Sequence, residues 1–238
     1  MGLTYLSLGE KEKAITNLKS YTARVPGDEN AARILDAAIN GKFAARRVGR
    51  HLRDSVIGQI GLGAAGLGIV RLLRAHGARR ILGTDRHEAA LDRLAIQGGE
   101  PSTLEGVMAN CDIVIATTGV RGLIRPELVR PGQIILALSN PDPETEPVTA
   151  LERGAAFAAD GKGINNVLAF PGLFRGALDA RASGFDDAML MAAAHAIAAM
   201  APRDDLVPDS LDPRVHAAVA EAVRAAAAGE VLQGDAAV

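Results

Sequence analysis

The stretch VIGQIGLGAAGLGIVRLL, beginning at Val56, leaves this chain few choices of fold. An apolar run of the length of one buried strand ends in Gly61-x-Gly63-x-x-Gly66, and an apolar helical pattern starts inside the glycine motif. Each glycine meets a separate demand. Gly61 permits a tight turn, Gly63 lets the backbone approach a pyrophosphate, and Gly66 lets the helix pack close against the strand. The N–H groups at the helix start, from Ala64, Ala65 and Gly66, then face the phosphates. The alternative is a glycine-rich turn with no ligand. The strand before it and the helix after it favour the phosphate loop.

From Val56 onward, strand and helix patterns alternate. Strands are predicted over 56–60, 80–84, 112–117, 133–138 and 155–159. Helices are predicted over 64–76, with Gly77 as C-cap, and over 87–97, stopped by Gly98-Gly99. A short helical segment is expected at 103–108. After Leu168 the pattern is entirely helical, over 173–182, 186–200 and 213–228. Alternation of this kind predicts an α/β fold, a Rossmann-type doubly wound parallel sheet with a helical C-terminal tail. Right-handed crossovers place the carboxyl ends of its strands on one edge. Residues 49–238 form this NAD(P)-binding domain in the sequence reading. Residues 1–48 form a separate helical segment, an N-terminal helical hairpin.

Asp85 ends the second strand about 20 residues past the glycine motif, where an acid accepts hydrogen bonds from the adenosine ribose and repels a 2′-phosphate. That favours NAD over NADP, although Arg86 beside it could accommodate a 2′-phosphate. Asp85 could also cap the following helix. Thr117 and Thr118, with Gly119, close the next strand, at the loop edge that runs beside a nicotinamide ribose, or form a turn with satisfied hydroxyls.

Composition narrows the function classes. The formal net charge of −2 gives no electrostatic footprint for nucleic acid or an anionic membrane. No apolar run is long enough to span a bilayer and no leader pattern opens the chain. The single cysteine excludes an internal disulfide and is compatible with a cytoplasmic location. The histidines His51, His76, His87, His195 and His216 show no metal-ligand spacing, so no zinc site is expected. Asp54, the acid just before the glycine loop, does not make a metal site alone. His195 reads as packed or half-exposed, Cys111 as buried and inert, and Met189, Met191 and Met200 as core or interface filler. Asp142, Glu144 and Glu146, set among prolines, read as a solvated loop. Arg175 reads as a helix-surface residue.

Two further segments, ILALSNPDPETEP and FAADGKGINNVLAFPGLFRGALDARA, together resemble the NAD-binding half of malic enzymes, and the similarity runs over about residues 50–228. On the residues alone, Asn140 lies just beyond a strand's carboxyl end, where open α/β sheets bind ligands. Its amide can donate to a carboxylate or accept from a carboxamide. Asn165 and Asn166 form a second amide pair beyond the next strand. Each could equally cap its own loop backbone. The resemblance implies that Asn140 and Asn166, with Asn165 as neighbour, contact substrate and the nicotinamide region. It also implies oxidative decarboxylation of malate to pyruvate, a homodimer, and Mg²⁺ or Mn²⁺ as the metal. The family's catalytic tyrosine and lysine and its metal ligands lie upstream of the glycine loop, and no matching DDxQGT or Glu-Asp segment precedes it here. No catalytic or metal residue is therefore assigned, and the chain by itself is expected to be inactive in full turnover. The alternative is a non-catalytic module that senses NAD and docks a protein.

The opening segment GLTYLSLGEKEKAITNLKSYTARVPGDENA resembles one tetratricopeptide repeat, with Tyr5, Gly9, Ala14, Tyr21 and Pro26 at its characteristic positions. A generic helical hairpin remains the other reading. A lone repeat cannot bury its apolar face, so it would pack on its own domain, a second copy or a protein partner.

Overall fold

A computed structural model describes residues 51–161, 168–202, 207–209 and 211–229. The predicted hairpin at 1–48 and the Asn165-Asn166 pair lie outside the described residues.

Among the described residues, six strands form one all-parallel sheet: β1 (Val56–Ile60), β2 (Arg80–Thr84), β3 (Glu100–Pro101), β4 (Ile113–Ala116), β5 (Ile134–Ala137) and β6 (Phe157–Asp160), in the order β3-β2-β1-β4-β5-β6. The order reverses between β1 and β4, which creates a crevice at their carboxyl ends. The registers Ile57↔Ile81 and Ile57↔Ile113 align β1 with both neighbours. Among the described residues, seven α-helices flank or follow the sheet: α1 (Ala64–Ala75), α2 (Glu88–Ile96), α3 (Leu104–Asn110), α4 (Pro147–Glu152), α5 (Phe170–Asp179), α6 (Asp187–Met200) and α7 (Pro213–Ala227).

The central strands β1, β4 and β5 are buried on both faces, as parallel strands covered by helices must be, whereas the edge strand β3 is exposed and β6 is half-buried. Side chains alternate between two cores. Ile57, Ile81, Ile113, Ile115, Ile134 and Leu136 pack with α1, α2 and the C-terminal helices. Ile60, Leu82, Val114, Ala116 and Ile135 pack with Val107, Met108 and Ala150 of α3 and α4. This two-faced burial explains why β4 and β5 read as unbroken aliphatic runs.

The C-terminal helices dock through glycines. A side-chain carbon at Gly172 would lie 2.5 Å from Val219 Cβ and 2.7 Å from the His216 carbonyl oxygen. One at Gly176 would run into the Ala220 carbonyl and lie 2.7 Å from Val223 Cβ. The FPGLFRGALD segment therefore brings the backbone of α5 directly against α7.

Several boundaries move. Helix α1 ends at Ala75 with His76 as C-cap, and Gly77, expected as the cap, follows it at φ 92°. Helix α5 begins at Phe170 with Pro171 in its first turn, earlier than the expected Leu173, because proline is well suited to a helix start. β6 begins at Phe157 rather than Ala155, whose N–H donates to the Ala150 carbonyl instead of entering the sheet. Two elements escaped sequence reading. β3 is a two-residue edge strand, held against β2 by Arg80, whose guanidinium bonds both oxygens of Glu100 at 3.0–3.2 Å. Helix α4 is six residues long and starts on Pro147.

Candidate functional site

The glycine turn lies at the carboxyl end of β1. Gly61 adopts φ 89°, a conformation costly for any residue with a Cβ, and its N–H donates to the Thr84 carbonyl at 2.9 Å. A Cβ there would also meet the Thr117 carbonyl oxygen at 2.9 Å. A Cβ on Gly66 would collide with the Gly61 carbonyl, so the start of α1 rests directly on the turn. Gly63 is different: no heavy atom lies within 4 Å of where its Cβ would stand. Gly63 is also the N-cap of α1 and provides no side-chain cap. The helix start, with exposed Ala64 and half-buried Ala65, thus opens onto free space with unsatisfied N–H groups, an anion cradle.

Sequence reading overlooked the support beneath this turn. Gln59 is fully buried, and its Nε2 donates to the Gly61 carbonyl (3.1 Å) and to Thr117 Oγ1 (3.0 Å). Its Oε1 has no partner among the described residues. Gln59 fastens the turn after β1 to the loop after β4.

Asp85 is half-buried at the end of β2. Its Oδ2 accepts from the Leu62 N–H at 2.7 Å, and its Oδ1 accepts from the His87 N–H at 3.0 Å. The second bond closes a local turn two residues on, whereas the N-cap of α2 is His87. Partial desolvation pushes the carboxyl up, but the N–H groups of Leu62, His87 and Arg86 and the nearby His87 ring outweigh it, and Asp85 is held below the usual carboxylate range. Arg86 is exposed, and its Nε donates to His87 Nε2 at 3.0 Å.

Across the crevice, the loops after β4 and β5 are locked together by Glu144. The solvated-loop expectation fails at this residue: Asp142 and Glu146 are exposed, but Glu144 is fully buried. Its Oε1 accepts from the Thr118 N–H (2.6 Å), from Thr118 Oγ1 (2.8 Å) and from Ser139 Oγ. These donors explain the burial, since a carboxylate is tolerated inside only when hydrogen-bonded. Ser139 Oγ in turn accepts from the Gly119 N–H at 2.8 Å. Asn140 follows Ser139 and is exposed, with its Nδ2 3.5 Å from the Gly161 carbonyl at the end of β6.

The carboxyl edge of the sheet thus gathers Gly61, Gly63, Asp85, Arg86, Thr117, Thr118 and Asn140 on loops, and Ala64, Ala65 and Gly66 on the first turn of α1, around one crevice. Elsewhere, Cys111 is buried and its thiol is pushed up to about 12, chiefly by desolvation. Arg175 is exposed and paired with Asp179 on its own helix at 2.6 Å. His195 meets His76 edge to face, with ring centres 5.7 Å apart. Among the described residues no cluster of three or more His, Cys, Asp or Glu could hold a metal, and no helix is long and apolar enough to cross a membrane.

Strand order, switch-point crevice and glycine cradle define a Rossmann-type dinucleotide-binding α/β domain. Residues 147–233 match the family model described as malic enzyme, NAD binding domain. The chain is 55% identical over 194 residues to NAD-dependent malic enzyme 1 of Bacillus subtilis, covering 81% of this chain and 44% of that protein. It is 42% identical over 118 residues to an NADP-dependent malic enzyme of Rhizobium meliloti, covering 46% of this chain and 15% of that protein. The crystal structure of malic enzyme from Pyrococcus horikoshii superposes with a TM-score of 0.71 at 28% identity, over 89% of this chain and 57% of that one. The chain carries a malic-enzyme NAD-binding domain. It spans about half the length of curated relatives that it matches.

Proposed function

We propose that this chain supplies the NAD-binding half of a malic enzyme, whose whole reaction is the oxidative decarboxylation of malate to pyruvate. The observation that carries this reading is the open space at Gly63 on the start of α1, bounded by the close approach of Gly61 and Gly66. In this reading the N–H groups of Gly63, Ala64, Ala65 and Gly66 hold the pyrophosphate, and Asp85 receives the adenosine ribose hydroxyls. Asp85, held ionised, disfavours a 2′-phosphate, so NAD is the preferred cofactor over NADP, and exposed Arg86 is the residue that could soften the preference. The fourth, fifth and sixth strands then form the nicotinamide half, with Thr117 and Thr118 beside the ribose. Asn140, with Asn165 and Asn166, orients the nicotinamide and a substrate carboxylate. When bound, NAD supplies the acceptor for the hydride that leaves malate.

The decarboxylation step needs a cation to polarise a carbonyl and a proton donor to complete pyruvate. The described residues offer no cation site, so no step through Mg²⁺ or Mn²⁺ is assigned to them. Those groups would come from another polypeptide segment. The reading extends to a cytoplasmic homodimer, and to residues 1–48 as a separate segment that can dock a protein partner.

Titration calorimetry with NAD, alone and with malate and Mn²⁺, tests this, followed by an absorbance assay for NADH. NAD binding that malate and metal leave unchanged is the expected result for a cofactor half on its own. NADH formation by the chain alone would overturn the assignment of the catalytic groups to another segment. Absence of NAD binding would overturn the reading as a whole.

A further inference from the structure

Glu144 is the only Asp, Glu, Lys, Arg or His that is fully buried among the described residues. It lies neither in the core of the sheet nor in a helix interface but between the two loops at the carboxyl ends of β4 and β5. A carboxylate has only acceptors. The hydroxyls of Thr118 and Ser139 must therefore both donate to Glu144. Their remaining lone pairs then face the backbone, where Thr118 Oγ1 accepts from the Val120 N–H (3.1 Å) and Ser139 Oγ from the Gly119 N–H (2.8 Å). The main chain adds to this. The Glu144 carbonyl accepts from the Ile124 N–H at 2.9 Å, and the Pro143 carbonyl from the Gly122 N–H at 3.3 Å. The result is a single unit made of 118–124, Ser139 and the 143–144 turn, in which the direction of each side-chain hydrogen bond is set by one acidic group.

That unit faces the second half of the crevice. Thr118 Cγ2 lies 3.0 Å from where a Gly61 Cβ would stand, so the unit abuts the phosphate turn. Asn140 is its next residue beyond Ser139. Because Asp85 marks the β1–β2–β3 half as the adenosine side, the Glu144 unit lies on the nicotinamide side. We propose that Glu144 is a positioning residue for the nicotinamide end of the bound dinucleotide, holding the Thr118 loop and the Ser139-Asn140 segment as one preformed wall. The inference rests on the NAD-binding reading above.

The test separates the two ends of the cofactor. The full chain and its Glu144→Ala, Glu144→Gln and Ser139→Ala variants are titrated with NADH, read by nicotinamide fluorescence, and with ADP-ribose, read by calorimetry. Loss of a charge-assisted network should weaken NADH binding by about tenfold or more in Glu144→Ala and reduce the change in nicotinamide emission, while ADP-ribose affinity stays within about twofold. Glu144→Gln keeps a carbonyl acceptor and should recover most of the NADH affinity. Should Glu144→Ala not fold, Ser139→Ala carries the test, with the same selective loss expected at smaller size. Equal losses for NADH and ADP-ribose, or no loss for either, would reduce Glu144 to a fold-maintaining residue and overturn the proposal. A wild-type chain that binds neither ligand would overturn the NAD reading itself. One that binds ADP-ribose but gives no nicotinamide signal would overturn only the role of Glu144.

Discussion

The Leu62 N–H donates to Asp85 Oδ2 at 2.7 Å, tying the middle of the glycine turn to the end of the neighbouring strand. One carboxylate thereby holds two segments: its Oδ2 fixes the glycine turn, and its Oδ1 accepts from the His87 N–H at 3.0 Å. Asp85→Asn keeps one carbonyl oxygen and loses the charge. NAD affinity should fall by about tenfold, on the scale of a charge-assisted hydrogen bond, and the preference for NAD over NADP should narrow. Parallel calorimetric titrations of wild type and Asp85→Asn with NAD and NADP measure this. An unchanged ratio of the two affinities would remove Asp85 as the discriminating residue.

The same carboxyl should make stability depend on pH. Its folded-state pKa lies below the unfolded value of about 3.9, so its contribution is fully present above that value. It is lost as pH falls through the folded value. Thermal melts of wild type and Asp85→Asn from neutral to acid pH should show a gap at neutrality that closes once the wild-type carboxyl is protonated. A gap that stays constant across the range would mean that the Leu62 and His87 bonds do not favour the ionised form.

Gly63 and Gly66 stand three residues apart but should respond oppositely to alanine. A methyl at Gly66 meets the Gly61 carbonyl, which is backbone and cannot step aside, so Gly66→Ala should cost roughly 1–3 kcal/mol of stability. A methyl at Gly63 meets nothing, so Gly63→Ala should melt within a few degrees of wild type. It should nevertheless bind NAD poorly, because the methyl occupies the space above the helix start. Paired melting and binding measurements check this. A Gly63→Ala chain that keeps full NAD affinity would place the pyrophosphate elsewhere.

The sheet was legible where local sequence and fold agree. The unit β1–α1–β2 emerged with its boundaries nearly intact because strand, turn and helix signals sit next to one another. The aliphatic runs of β4 and β5 were legible for the same reason. Glu144 was not, because its neighbours are prolines and acids that signal solvent. What buries it is Thr118, 26 residues earlier, and no local pattern records that pairing. Gln59 escaped for a related reason: in a strand pattern a polar residue reads as an interruption, not as a strut beneath a turn. β3 is two residues long, with a proline, and its signal is the distant Arg80–Glu100 pair. The glycines of FPGLFRGALD show the reverse case. The motif pointed to the family, yet Gly172 and Gly176 serve packing of α5 on α7 rather than chemistry.

That packing role gives its own prediction. Gly176→Ala would drive a methyl into the Ala220 carbonyl and the side chain of Val223, both on α7. Helix backbones cannot yield as a flexible side chain can, so α5 and α7 must move apart and open a gap around Val219 and Val223. The expected cost is about 1–3 kcal/mol, seen as a lower urea midpoint at unchanged slope. The glycine cradle lies on a different part of the fold, so NAD affinity per folded molecule should stay within about twofold of wild type. Adding Val223→Ala should restore no stability, because the Ala220 carbonyl and the Cβ of residue 223 still stand in the way and a fully buried side chain is truncated as well. A Gly176→Ala chain with normal stability but impaired NAD binding would contradict the packing account and return this motif to the binding site.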